Sequence, residues 1–377
     1  VSTPSPTPPA SLDEVPAAVE AVLGTFFDSA VAVAAEISPV VGVAAETVRD
    51  FVLQGGKRIR PVFAYAGWRC GQPDHTDPTT GADVALRVGA ALELVQACAL
   101  IHDDIIDRSD TRRGRPTVHR TFEARHADAS WAGDAGHFGV SAAILAGDLA
   151  LSWADDLIHG HTPSGPDDDP RPGAALPAGV GDTWAAMRTE VLAGQYLDIV
   201  NEASGDESAD AAYRVMRYKT AAYTVARPLE LGARLAGADP SVIDELRAVG
   251  HDLGIAFQLR DDLLGVFGDP ARTGKPSGDD LIDGKRTTLL AIGLDRARQH
   301  DPALACALRA SIGHPLSEDE LASARNILVE VGAVAEIEGQ ISTLLDSALA
   351  TLSSSAIDPA IRTELTAVAH RTAHREA

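Results

Sequence analysis

The chain has 377 residues, enough for two average domains or one large core, and its 32 basic against 54 acidic residues give a formal charge of −22. That balance excludes a broad nucleic-acid or anionic-membrane surface, since either needs a wide basic face, but it leaves room for a local basic pocket. Only 5% of residues are aromatic while Ala and Leu abound, so long windows of good helix formers predict an all-α fold with one large helical core.

In chain order, the Pro/Ser-rich opening VSTPSPTPPASLDEVP lacks the basic and apolar blocks of a secretion signal. It cannot bury enough surface to fold, so residues 1–12 are expected to be a disordered tail ahead of a single domain over 13–377. Helical periodicity starts near Glu14. The Ala/Val-rich stretch 19–45 has the length of a membrane span, but Glu20, Asp28, Glu36 and Glu46 interrupt or bound it, so it reads as packed helix with no stable membrane anchor. The cluster GQPDHTDPTTG at 71–81 is a break between helices, and residues 159–182, dense in Gly, Pro and Asp, read as a flexible surface insert. Cys70, Cys98 and Cys306 lack CxxC spacing. Neither a disulfide framework nor a zinc site is expected, and a reducing cytoplasm fits.

The chemistry concentrates in two acidic segments. The first is ELVQACALIHDDIIDRSDTRRGRPTVH at 93–119, whose run before Arg108 contains neither Gly nor Pro. At 100° per residue, Asp103 and Asp107 fall one turn apart on one face. Two carboxylates so placed repel each other unless a cation sits between them, and hard oxygens of this kind suit Mg²⁺ that also binds phosphate. A solvated acidic face is the plain alternative, but Leu100, Ile101, Ile105 and Ile106 imply a packed helix, where acids need a partner. His102 beside Asp103 also permits a phosphohydrolase of the HD type, for which no further His and Asp at matching spacing are found.

The second segment, GIAFQLRDDLLGVFGDPARTGKPSGDDLIDGKRTTLL at 254–290, again places paired acids, Asp261 and Asp262, after an apolar run. Asp269, seven residues beyond Asp262, would lie nearly in line with it two turns later. Lys275 and Lys285 bracket Asp279 and Asp280, so metal-binding acids and phosphate-binding lysines share one stretch. Further cations occur in GGKRIRP at 55–61, where Lys57, Arg58 and Arg60 supply charge and Gly55 and Gly56 allow close backbone approach to an anion, and in the pair Arg112 and Arg113. Taken alone the GGKRIRP loop could be merely exposed and basic. An acidic chain that concentrates its bases beside paired acids points instead to a diphosphate.

With these segments in view, the chain resembles the trans-isoprenyl diphosphate synthases, or polyprenyl synthetases, and among them the bacterial geranylgeranyl diphosphate synthases. The resemblance spans roughly residues 20–360 and rests on ordered motifs: GGKRIRP, Gln96 ahead of DDIID, RRG at 112–114, GQYLD at 194–198, Lys219–Thr220, and FQLRDD at 257–262. It implies the type I isoprenoid synthase fold, a homodimeric helical bundle around a central active-site cavity with the two acidic segments facing each other across its mouth. By the same resemblance Asp103, Asp107 and Asp261 would hold three Mg²⁺ ions, for which Mn²⁺ could substitute, with Asp104, Asp262 and Asp269 supporting them indirectly or through water. Arg112, Lys219, Lys275 and Lys285 would bind an allylic diphosphate (dimethylallyl, geranyl or farnesyl), and Lys57, Arg60, Gln96 and Arg113 would bind isopentenyl diphosphate. Lys219, Thr220 and Gln258 would stabilise the allylic cation, and Gln195 and Asp198 would line the cavity.

A full second motif in this family would read DDxxD, whereas Gly265 stands in the last place here, with Asp269 the expected compensation. The resemblance also makes Ala99 and Cys98 part of the floor that limits product length. Both are small, and Leu92, Gln96, Ala99 and Asp103 share a stripe about 40° wide, so Ala99 leaves room below the metal site; Cys98 projects elsewhere and serves equally well as a core residue. The expected product is linear geranylgeranyl diphosphate (C20), with farnesyl diphosphate or chains of C25 and beyond as alternatives. A class I terpene cyclase would need a different second metal motif, which 261–269 do not supply. A non-catalytic partner subunit would have no need of both acid pairs together with their bases.

Overall fold

The computed structural model describes residues 8–72, 81–161, 163, 176–269 and 278–373. Its elements are helices apart from one short hairpin, Thr111–Arg112 paired antiparallel with Arg115–Pro116. The all-α class expected from composition holds. The chain divides into two compact units, Val1–Gly181 with Leu231–Ala238, and Asp182–Glu230 with Asp239–Ala377.

The first unit is built from α1 (Val15–Ile37), α2 (Pro39–Leu53), α3 (Ile59–Cys70), α4 (Ala82–Ile106), α5 (Val118–Asp128) and α6 (Ala135–Ile158). The apolar stretch 19–45 is two helices, because Ser38 is extended and accepts a hydrogen bond from the Val40 N–H while Pro39 occupies the first helical position. α4 packs against α6, α3 and α1. It is apolar on nearly every side, with Leu86, Leu92, Leu94 and Ile101 all fully buried, as a central helix must be. Phe26 and Phe27 of α1 meet Trp153 of α6 edge-to-face at 6.0 and 5.9 Å, and meet each other at 5.8 Å. By length and composition Leu12–Ile37, Ala82–Ile106 and Ala135–Ile158 could each cross a membrane, but 72% of the apolar window of α4 is buried inside the protein.

Packing begins inside the expected tail: Leu12 is buried in a short 3₁₀ turn, and the Tyr65 hydroxyl donates to the Pro9 carbonyl at 3.3 Å. One apolar residue with a slot to fill is enough to order the chain around it. Of the expected insert 159–182, residues 162 and 164–175 lie outside the described residues, and Val180 already begins a helix.

The second unit contains α7 (Val180–Ser204) from Asp182 onward, α8 (Ala209–Val215), a π-helical segment Met216–Ala226, the first turn of α9 (Arg227–Ala236), α10 (Pro240–Phe267) and the later helices. α10 is central, packed against the π segment and against the helix Ala333–Ser354. Glu230, 1% exposed, accepts from Arg227 at 2.7 Å, Arg247 at 2.8 Å and Thr183 at 3.1 Å. A buried carboxylate held by three donors is tolerable where an unpaired one would not be.

Candidate active site

In the first unit the DDIID segment forms the end of α4. Asp107 is its C-cap, and its N–H donates to the Asp103 carbonyl at 2.8 Å, which sets the two carboxylates one turn apart as the periodicity predicts. The helix terminus adds its own partial negative charge there, so acids at this end are unfavourable without cations. Asp104, the next residue, is 1% exposed. Its Oδ1 accepts from Arg112 Nε at 2.8 Å and lies 2.7 Å from Nη2, while Asp103 Oδ2 stands 3.6 Å from the same guanidinium.

Arg112 reaches the acids because RRG is the tight turn of the hairpin. Arg113 and Gly114 both have left-handed backbone, φ 53° and 72°, as a turn closing two short strands requires. The turn sends the two arginines to different partners. Arg112 goes to the acids of α4, and Arg113 donates from Nη1 to the Gly55 carbonyl, with Nη2 lying 3.3 Å from where a Cβ on Gly56 would be. Arg113 is thus brought to the loop that Lys57 and Arg60 follow in sequence.

Arg58 departs from the sequence reading. In the sequence it counts among the bases that GGKRIRP offers an anion, yet its guanidinium is 3% exposed and turned inward. There it donates to Glu93 Oε2 at 2.6 Å, to the Val52 carbonyl at 2.7 Å and to Glu20 at 3.3 Å. The cause is Glu93, a buried acid midway along the apolar helix α4 that needs a cation there. Glu93 was missed as a site residue, although an acid inside ALELVQ was itself the signal.

Cys98 and Ala99 part company on α4. Cys98 is 3% exposed with Sγ 3.7 Å from His102 Nδ1, and burial, then the charge of Asp148, pushes its thiol up to about 12. The His102 Nε2 in turn lies 3.1 Å from the Ile144 carbonyl on α6, which fastens the ring to that helix. Ala99 is half-buried, as is Gln96, whose Oε1 is enclosed without a hydrogen-bond partner.

In the second unit the FQLRDD segment lies within α10. Asp261 is exposed while Asp262 is 3% exposed, its Oδ1 accepting from Gln258 Nε2 at 2.9 Å and its Oδ2 from the Thr288 N–H at 3.0 Å. That N–H is one of the unpaired donors at the start of the helix Thr288–His300, so Asp262 caps a neighbouring helix. Burial, opposed by the Gln258 bond and aided by nearby Asp280, pushes Asp262 up to about 8. Gln258 therefore spends its amide N–H on Asp262.

Asp269 is not where helical spacing puts it. α10 ends at Phe267 and Gly268 is extended, so Asp269 lies beyond the helix and exposed. Asp269 precedes Pro270, and a residue before proline is pushed out of the helical region. Lys275 lies outside the described residues. Lys285 Nζ is 3.9 Å from both Asp280 Oδ1 and Asp283 Oδ2.

Lys219 and Thr220 sit in the π-helical segment, a wide-turned form that concentrates at functional positions. Gly194 of GQYLD explains how close that segment comes: a Cβ there would overlap the Lys219 nitrogen and stand 2.6 Å from its Cα. One turn on from Gly194, Asp198 accepts from Lys219 Nζ at 2.6 Å, and Gln195 is half-buried beside it in sequence.

The donor set fits a magnesium–diphosphate partner. Among the described residues no three His, Cys, Asp or Glu side chains gather into an all-protein metal cage. Paired Asp carboxylates with bases close by match an ion that takes few protein oxygens and completes its shell with phosphate and water.

Comparison with known proteins agrees. A family model described as polyprenyl synthetase matches residues 42–328. A (2E,6E)-farnesyl diphosphate synthase of Mycobacterium bovis is 35% identical over 278 residues, covering 74% of this chain and 67% of the relative. A geranylgeranyl diphosphate synthase of Mycobacterium tuberculosis is 32% identical over 290 residues, covering 74% and 71%. The crystal structure of geranylgeranyl pyrophosphate synthase from Corynebacterium glutamicum, complexed with isoprenyl diphosphate and magnesium, is 48% identical, with TM-score 0.88 over 97% of this chain and 99% of that one. With its ordered motifs and its helical fold, this chain belongs to the polyprenyl synthetase family of trans-prenyl diphosphate synthases.

Proposed function

We propose that the chain is a magnesium-dependent prenyltransferase that joins isopentenyl diphosphate to an allylic diphosphate, with geranylgeranyl diphosphate as its main product. The observation that carries this reading is the division around the RRG turn, where Arg112 bonds to Asp104 beside Asp103 and Arg113 donates to the Gly55 carbonyl of the GGKRIRP loop.

Breaking a carbon–oxygen bond to diphosphate requires the leaving group's charge to be neutralised as it forms. Magnesium, when bound, supplies the larger part of that neutralisation. Asp103, Asp107 and Asp261 are the carboxylates proposed to hold it. Arg112, Lys219, Lys275 and Lys285 are proposed to take oxygens of the same allylic diphosphate, and Lys219 already lies in a charged hydrogen bond that a phosphate oxygen can replace. Lys57, Arg60, Arg113 and Gln96 are assigned to isopentenyl diphosphate, whose double bond must be held close to the allylic carbon for attack. Thr220 and the Gln258 carbonyl offer dipoles to the cation.

The C20 product rests on the 48% identity to the Corynebacterium glutamicum geranylgeranyl synthase and on the small Ala99. A C15 product is the second reading, because the Mycobacterium bovis relative is a farnesyl synthase. Purified chain incubated with isopentenyl diphosphate and, separately, dimethylallyl, geranyl and farnesyl diphosphates should accumulate C20 product by chromatography. C15 alone under excess isopentenyl diphosphate would overturn the assignment, a hydrocarbon would indicate a cyclase, and no product would indicate a silent subunit.

A homodimer working in the cytoplasm completes the proposal. Leu192, Tyr196, Ile199 and Val200 leave an apolar stripe on α7 between 37% and 67% exposed, spaced as one helical face that a second copy can cover. Light scattering on the purified chain should read twice the chain mass, and a monomer at micromolar concentration would remove this part.

A further inference from the structure

The GGKRIRP loop is fastened at its start and at its middle, and both fastenings lead to α4. At the start the Gly55 carbonyl accepts from Arg113, whose neighbour Arg112 bonds to Asp104 near the end of that helix. At the middle Arg58 turns inward to Glu93. Glu93 lies about three turns before Asp104, so one helix holds the loop at both ends of this stretch.

The fastening at Arg58 is close. Its guanidinium ties together Glu93 Oε2 of α4 at 2.6 Å, the Val52 carbonyl of α2 at 2.7 Å and Glu20 of α1 at 3.3 Å. Its backbone is left-handed, with φ 46°, a conformation that a residue bearing a Cβ holds only when its surroundings fix it. One turn before Glu93, Gly89 is bare where Pro61 of GGKRIRP packs, since a Cβ there would stand 3.2 Å from the Pro61 Cβ. Burial, then the charges of Arg112 and Arg58, holds Arg113 below the usual arginine range while Glu93 and Asp104 pull the other way, so the two fastenings share one electrostatic neighbourhood. On either side of the anchored Arg58, Lys57 is exposed and Arg60 half-buried. A loop free to move would hold an anion poorly, because its bases would have to be ordered at the moment of binding.

We propose that Glu93 is a positioning residue for isopentenyl diphosphate: through Arg58 it fixes the loop that carries Lys57 and Arg60 in register with the acids at the end of α4. It acts through Arg58 and not by touching substrate. The buried pair keeps the middle base of the loop turned inward and leaves the flanking bases for the diphosphate. This inference rests on the assignment of Lys57 and Arg60 to isopentenyl diphosphate.

The test replaces the pair by apolar residues of similar size, Arg58→Met/Glu93→Leu, an exchange that buried ion pairs tolerate with little loss of stability. Melting temperature, isopentenyl diphosphate binding by titration calorimetry, and KM for isopentenyl and for geranyl diphosphate are measured. The double variant should melt near wild type yet bind isopentenyl diphosphate about tenfold or more weakly, with the KM for geranyl diphosphate unchanged within about twofold. Glu93→Gln, whose amide oxygen still accepts from Arg58, should stay within about threefold of wild type in every constant. Arg58→Lys keeps the charge but cannot span the three partners at once, and it should weaken isopentenyl diphosphate binding about fivefold. A folded double variant that binds isopentenyl diphosphate like wild type, or one whose two KM values rise together, would overturn the role of Glu93. Unchanged binding in Arg58→Lys would overturn it even if the double variant does not fold. If wild type forms no elongated product, the prenyltransferase reading fails and this inference with it, whereas elongation by wild type with unaffected variants removes this inference alone.

Discussion

DDIID in the first unit and RDDLLG in the second begin with the same pair of aspartates, and the protein uses each pair in the same divided way. In both, the first acid is accessible and the second is buried: Asp103 against Asp104 at 1% exposed, and Asp261 against Asp262 at 3% exposed. Successive helical residues point about 100° apart, so on a helix packed on most sides one of two adjacent acids can reach solvent while the other turns inward. The buried members differ in their partners. Asp104 is held by the charged Arg112, whereas Asp262 is held by a neutral amide and a backbone N–H. A doubled aspartate is thus one accessible acid and one acid held inside, and the two buried arrangements are not equivalent.

The largest expected effects test the accessible acids. Asp103→Ala and Asp261→Ala should each lower turnover with magnesium by about 10²-fold or more while circular dichroism and melting stay near wild type. Near-normal activity in either would break the parallel between the segments. A smaller and more discriminating effect concerns the buried acids, read from urea unfolding midpoints at unchanged slope. Asp104→Asn removes the charged partner of Arg112 and should cost about 2 kcal/mol. Asp262→Asn should cost about 1 kcal/mol, because a flipped Gln258 amide can accept from the new side-chain N–H while the remaining oxygen keeps the Thr288 N–H. Equal losses would mean that the partner's charge is immaterial.

The smallest effect is chemical. Cys98, on the buried side of the first acidic helix, has its thiol pushed up to about 12, which leaves on the order of 10⁻⁴ of it as thiolate at pH 8. Native protein treated with iodoacetamide at pH 8 should be labelled at the exposed Cys306 and not at Cys98, as mass spectrometry of peptides would show. Because the folded state holds this proton more tightly than the unfolded chain, whose thiol titrates near 9.0, its contribution to stability is complete below that pH and is lost as pH climbs toward 12. Rapid labelling of Cys98 in native protein would show the helix to be less closed on that side.

Much of the site was legible in the chain. Acids four apart on a helix share a face by geometry alone, and α4 carries Asp103 and Asp107 as that spacing demands. Charge type was legible, but direction was not. Lys57, Arg58 and Arg60 look equivalent in GGKRIRP, yet Arg58 turns inward because Glu93, 35 residues away, is buried beneath it. Asp269 fits a helical wheel drawn from Asp262, but the wheel stops at Phe267, where extended Gly268 and the following Asp–Pro step end the helix. Asp280 reads in the chain as an acid between two lysines, and no pattern there shows that its carboxylate fills the space a Cβ on Gly265 would take.

By itself, then, the sequence determined the helical class, the family and the chemical inventory of two acidic segments with bases near them, because periodicity and residue type are local properties. The tertiary structure alone decided which aspartate of each pair is buried, that adjacent arginines serve different partners, and that the carboxylate beside Gly265 comes from Asp280. Those outcomes depend on desolvation and close approach between residues distant in the chain, and both arise only when helices pack.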